Sequence, residues 1–97
     1  MSKVEMTTHA GRRAQQRAVP PWLVELVVRH ADLELPLGER RMALRLSPDA
    51  VATLRRDHGI ETAERAASVV LVVVDGVVAT VLRAIGKPSR RYLRRRR

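Results

Sequence analysis

Residues 68–84 read SVVLVVVDGVVATVLRA, and this stretch decides the fold. Two runs of β-branched residues flank Asp75-Gly76, a dipeptide suited to the two-residue type I′ hairpin turn because both central residues there need positive φ. Pairing outward from that turn sets Val74 against Val77, Val72 against Ala79 and Leu71 against Thr80. Strict alternation then sorts two faces. Val69, Leu71, Val73, Val78, Thr80 and Leu82 form the bulkier face, expected to meet helices. Ser68, Val70, Val72, Ala79, Val81 and Arg83 form the smaller one, expected to be open or to meet another subunit.

Working outward, Leu33 to Leu46 reads as a second hairpin. With Gly38-Glu39 as its turn, Leu35 faces Met42 and Leu33 faces Leu44, which keeps the apolar residues on one side. Pro36 lacks a backbone donor and marks an edge strand. Ser47-Pro48 starts a helix and Gly59 stops it, with Val51 and Leu54 turned inward on the way to His58. Residues 60–67, IETAERAA, fit either a short helix or a loop. Nearer the N-terminus, Pro20-Pro21 opens a helix through His30 with Trp22, Leu23, Leu26 and Val27 toward the core. Residues 8–18 form the first helix, capped by Thr7 or Thr8. His9, Arg13, Gln16 and Arg17 share its polar face, beside a narrow stripe of Ala10, Ala14 and Ala18. The expected fold is α+β, in the order ααββαββ, with three helices on one face of a four-stranded antiparallel sheet. One domain is expected over residues 1–86, followed by a basic, flexible tail over 87–97.

Composition agrees with one small domain. The chain has 97 residues, 45% apolar, no Phe, and only Trp22 and Tyr92 as aromatics, so Val, Leu and Ala must fill the core. Cysteine is absent, which removes disulfides, thiolate metal sites and thiol nucleophiles and suits a reducing, cytoplasmic setting. The N-terminus has no apolar stretch of the signal-peptide kind. The longest apolar run, Val69 to Val74, is far short of the roughly 20 residues of a membrane span, so no membrane partner is expected. His9, His30 and His58 have no metal-site spacing. A Gly-rich phosphate loop, a Ser/His/Asp pattern and paired carboxylates are all missing, so no cofactor or metal is expected.

Charge is the strongest functional signal. The net charge is +9, and residues 87–97 (KPSRRYLRRRR) hold seven basic and no acidic groups, leaving twelve basic and ten acidic groups for the other 86 residues. Such a cluster attracts phosphate. Seventeen Arg against two Lys is the usage a GC-rich genome tends to produce, so the sign of the charge says more than the residue type.

TTHAGRRAQQRAVP, with His9, Ala10, Arg13 and Arg17, resembles the H-A-x-x-R-x-x-x-R opening of a bacterial family of small domains of unknown function. VVVDGVVATVLRA resembles that family's closing V-x-D-G-x-[IV]-x-T-[VL]-x-R hairpin, which a basic tail follows. The family looks like a distant relative of RelE/ParE-type toxins, many of them metal-independent endoribonucleases. The resemblance implies a RelE-like helical layer over an antiparallel sheet with a basic open face. It also implies arginines on the late strands and a tyrosine or histidine near the C-terminus acting on the 2′-hydroxyl and phosphate. Arg83 and Tyr92 match those positions, and an acidic antitoxin-like partner would be expected to cover the site.

The candidate catalytic residues are therefore Arg83, Tyr92 and His9. Cleavage needs a base, cations for the charged phosphorane and an acid for the leaving oxygen, and Lys87 is a further cation in reach. Imidazole suits proton transfer near neutral pH, but His9 also fits a structural clasp at a helix start. Arg13, Arg17, Lys87, Arg90, Arg91, Arg94 and Arg95 are candidate nucleic-acid contacts. Arg13 and Arg17 fit equally well as anchors to Asp32 or Glu34. Thr80 is expected to be structural, on the face opposite Arg83 unless a bulge intervenes. The leading expectation is a protein directed at RNA or the ribosome, either cleaving it or binding it. The alternative is a non-catalytic interaction module, with the Val-rich hairpin as half of a homodimer.

Overall fold

Capping chemistry places the helix ends. A computed structural model describes residues 4–83. The Thr7 hydroxyl accepts the Ala10 N–H at 3.0 Å and starts α1 (Thr8–Gln16). This helix stops two residues short of the expected end because Ala18 turns to φ +55 and Val19 donates back to the Ala14 carbonyl at 2.8 Å. Pro20 and Pro21 then open α2 (Pro21–His30). The Ser47 hydroxyl accepts the Ala50 N–H at 3.1 Å at the start of α3 (Pro48–His58). Gly59, at φ +91, ends α3 and starts α4 (Ile60–Ala67). The ambiguous stretch 60–67 is thus a helix, held by the fully buried Ala63 and Ala66. The order is ααββααββ, with four helices where ααββαββ allowed three.

The four strands are β1 (Leu33–Gly38), β2 (Arg41–Arg45), β3 (Val69–Val74) and β4 (Val77–Arg83). They form one antiparallel sheet in the order β1-β2-β3-β4. Every helix sends buried residues into one core with Leu44, Leu46, Val69, Leu71, Val78 and Val81, so all four lie on the same face of the sheet. Trp22 is the exception to the expected stripe on α2. It is 48% exposed, with the Arg65 guanidinium 5.3 Å over its ring, while Leu23, Val24 and Val27 do the packing.

Both hairpins depart from their expected registers. In the first, Leu33 pairs with Arg45 and Leu35 with Ala43, one residue away from the Leu44 and Met42 partners that alternation suggested. The turn is Glu39-Arg40, at φ +53 and +63, closed by the Gly38–Arg41 pair, and an irregularity between Pro36 and Gly38 absorbs Leu37. Leu33 and Leu35 consequently lie on the face away from the helices, while Met42 and Leu44 face them.

In the second hairpin the Asp75-Gly76 turn and the Val74–Val77 pair are as expected, with φ of +49 and +82 at the two turn residues. Beyond them Val73 pairs with Val78 but Val72 pairs with Thr80, leaving Ala79 as a bulge. Everything after it changes face. Val81 joins the helix-side core at 0% exposure, Arg83 falls on that same side opposite Val69, and Thr80 and Leu82 turn away. The expectation that Thr80 would be buried among Leu71, Val78 and Leu82 is therefore corrected, as is that of Val81, Ala79 and Arg83 on an open face. The cause is the N-terminal segment. Met6 bridges Val78 in parallel, the Val78 N–H donates to Glu5, and the Thr7 N–H donates to Val78, both at 2.9 Å. The Thr7 hydroxyl donates to the bulged Ala79 carbonyl at 3.2 Å.

Among the described residues no helix is long and apolar enough to cross a membrane.

Candidate functional site

α1 is a short amphipathic rod laid against β4. Ala10 and Ala14 are its buried contacts, small enough to bring its backbone close to the sheet. Its outer surface carries His9, Arg12, Gln15 and Gln16 exposed and Arg13 and Arg17 half-buried, and no carboxylate occurs between Glu5 and Glu25. Arg13 donates to the Gln16 side-chain oxygen at 3.4 Å. The expected anchoring of Arg13 or Arg17 by Asp32 is not what forms. Asp32 instead accepts the Ser47 N–H at 2.7 Å and the Ser47 hydroxyl at 2.5 Å, tying the start of β1 to the cap of α3.

Arg83 is the residue whose role changes most. Its Nε donates to the Arg17 carbonyl at 2.8 Å, one terminal nitrogen to the Ala18 carbonyl at 3.3 Å, and the other to the Ser68 hydroxyl at 3.1 Å. Arg65 also reaches the Ala18 carbonyl, at 3.5 Å. The last carbonyls of a helix have no intrahelical donor and carry partial negative charge, so two guanidiniums there satisfy both needs. Arg83 is a clasp between the end of β4 and the end of α1 rather than an idle strand-end charge.

His9, by contrast, is not a clasp. It is exposed in the first turn of α1, and its side chain makes no hydrogen bond with another described residue. Eight residues separate it from Arg17, about 12 Å along a helix rising roughly 1.5 Å per residue. His9 and the Arg83 guanidinium thus lie at opposite ends of α1. A base and a phosphate-stabilising cation must both reach the reacting atoms at hydrogen-bond distance, and this pair does not share one phosphate. Thr80 is half-buried on the far face of the sheet beside Val72 and joins neither. Tyr92, Lys87, Arg90, Arg91, Arg94 and Arg95 lie outside the described residues, as does the whole segment 87–97.

His30 and His58, at the C-terminal ends of α2 and α3, meet edge to face with ring centroids 6.4 Å apart. Among the described residues no three His, Cys, Asp or Glu side chains come together as a metal cluster. A pocket of about 570 Å³ opens between residue 6, α1 and the start of α2, lined by Met6, Ala14, Val19, Pro20 and Val24 with Arg65 beside them. Among the described residues, none of the sequence-predicted site residues, His9, Arg13, Arg17 and Arg83, borders it.

Sequence reasoning missed two polar features. One is the Asp32–Ser47 pair, hinted at by a carboxylate and a Ser-Pro helix start bracketing one hairpin. The other is Arg45, only 3% exposed, which donates to the Ala67 carbonyl at 3.1 Å. Strand alternation with Leu44 and Leu46 was its only trace. Comparison of the chain with protein families, with characterised proteins and with solved structures finds no match.

Proposed function

We propose that this protein binds nucleic acid through the phosphate backbone, without cleaving it, using the outer face of α1 together with the basic segment that follows β4. The observation that carries this reading is the Arg83 clasp. By holding the Arg17 and Ala18 carbonyls, Arg83 brings the point where the chain leaves β4 to the C-terminal end of α1. The chain therefore leaves β4 beside the carboxylate-free stretch around Arg12, Arg13 and Arg17, and the sequence that follows, 87–97, holds seven basic and no acidic groups. A continuous positive surface tracks phosphates without reading bases, and its affinity falls steeply with salt. Separation of His9 from Arg83 favours binding over cleavage.

The test is a salt titration of binding to duplex DNA and to single-stranded RNA. Each neutralised duplex phosphate contributes about 0.9 to the slope of log K against log salt. Deleting residues 87–97 should flatten that slope by several units, and Arg12→Gln with Arg13→Gln by about 1 to 2. Unchanged slopes in both variants would remove the reading. RNA incubated with the protein in EDTA should keep its ends, and 2′,3′-cyclic phosphate termini that vanish in His9→Ala would overturn the non-cleaving part.

A further inference from the structure

The pocket of about 570 Å³ beside α1 falls within the size range of small-molecule sites, and it plays no part in phosphate binding by the outer face of that helix. Its walls are chemically lopsided. Met6, Val19, Pro20, Pro21 and Val24 give apolar sides, whereas Gln15 and Arg65 bring the only side-chain N–H donors among the described lining residues. No carboxylate belongs to that described lining.

Two features of α1 keep the space open. Gly11, Ala14, Gln15 and Ala18 follow one another at i, i+3, i+4 and i+7, so one side of the helix and its continuation looks into the pocket. Inside a helix glycine is the least favourable residue after proline. Packing does not demand it at Gly11, because a Cβ there would meet no atom within 4 Å. A larger residue at this position would instead take up pocket volume. Ala18 adopts φ +55, a conformation unfavourable to a residue with a Cβ, and its turn carries the chain out of α1 toward α2. Arg65 and Arg83 both donate to the Ala18 carbonyl and hold that turn.

We propose that this pocket binds a small amphiphilic carboxylate, with its anionic head on Arg65 and its aliphatic body against Met6, Val19 and Val24. An apolar wall gains by exchanging water for a hydrocarbon chain. The Arg65 guanidinium lies over Trp22 and reaches the Ala18 carbonyl at 3.5 Å, which leaves it further N–H groups for a carboxylate. One such cation beside an apolar wall favours a monoanion over a phosphate dianion, whose oxygens need several donors. The site is independent of the nucleic-acid reading, since none of Arg12, Arg13 and Arg17 lines it.

Trp22 is the chain's one tryptophan, and the Arg65 guanidinium stands 5.3 Å over its ring, so its fluorescence reports an anion that engages Arg65. Decanoate, titrated below its micelle concentration, should change Trp22 emission saturably, and equilibrium dialysis should return the same Kd. Acetate, which lacks the chain, and decylammonium, which carries the opposite charge, should each bind more weakly by about tenfold or more. In dialysis, Arg65→Gln should weaken decanoate by about tenfold, the effect of a lost charge-assisted hydrogen bond. Gly11→Leu should abolish saturable binding without lowering the melting temperature, because leucine is the better helix former. Both variants keep the basic stretch 87–97, so attraction of decanoate to its arginines survives in them and the loss reports the pocket. Should Gly11→Leu disturb the fold, Arg65→Gln decides alone, since that side chain is exposed. Absence of saturable decanoate binding, equal affinity for acetate or decylammonium, or an unchanged Kd in either folded variant overturns the proposal. An affinity that varies with protein concentration assigns the pocket to a second copy and overturns it as well.

Discussion

The two hairpins solve the same problem with opposite errors in pattern. In the β1–β2 hairpin the strands alternate cleanly but the turn slips by one residue, so Leu33 and Leu35 end up across the sheet from Leu44. In the β3–β4 hairpin the turn sits where Asp75-Gly76 requires, and the slip occurs in mid-strand at Ala79. A side-chain period of two means that either slip exchanges the faces of everything beyond it. The first hairpin tolerates this because β1 is an edge strand, where Glu34 and Pro36 take the helix-side positions with less core to fill. The second tolerates it because valine and leucine occupy both faces, and because the N-terminal segment takes up the bulged carbonyl. The turns themselves touch, through an Arg40–Asp75 ion pair at 3.7 Å.

Truncating a leucine in each hairpin should give the largest contrast. Leu71→Ala, at a fully buried central-strand position, should lose about 2 to 5 kcal/mol in urea unfolding. Leu35→Ala, half-buried on the edge strand, should lose less than half as much, and equal losses would break the distinction between centre and edge. Next in size is Arg83→Ala, expected to cost about 1 to 2 kcal/mol because two helix-end carbonyls lose a charged donor. Arg83→Lys should recover only part, since one ammonium does not span three acceptors. A melting temperature unmoved by Arg83→Ala would return that side chain to the role of an exposed strand end.

Gly76→Val should follow, at about 1 to 2 kcal/mol, because φ of +82 places a β-branched side chain in the left-handed region. The mirror experiment is Arg40→Gly. Arg40 already occupies that region at φ +63, so glycine there should stabilise the first hairpin by up to about 1 kcal/mol despite loss of the exposed ion pair. Destabilisation by Arg40→Gly would show that the ion pair between the turns outweighs backbone strain.

Several features follow from local chemistry and were legible in the residues alone. Thr7 and Ser47 cap their helices, Pro21 and Pro48 open theirs, Gly59 breaks the chain, and Asp75-Gly76 turns it, each through a preference confined to a few adjacent atoms. The antiparallel pairing and the α+β class came with them. So did the charge that separates the C-terminal segment from a nearly neutral body. What neighbouring residues do not determine is which side chains share a face. That depended on a bulge stabilised by residues more than seventy positions away, since the Thr7 hydroxyl meets the Ala79 carbonyl only after the N-terminal segment lies along β4. The candidate site turned on the same event. Arg83 holds the end of α1 because the bulge reversed its side of the sheet, and His9 stands apart because α1 is long enough to separate them. Local preferences act through bonded neighbours and one hydrogen-bonded turn. Register and face are set by hydrogen bonds between distant segments, and these form only once the core has brought the segments together.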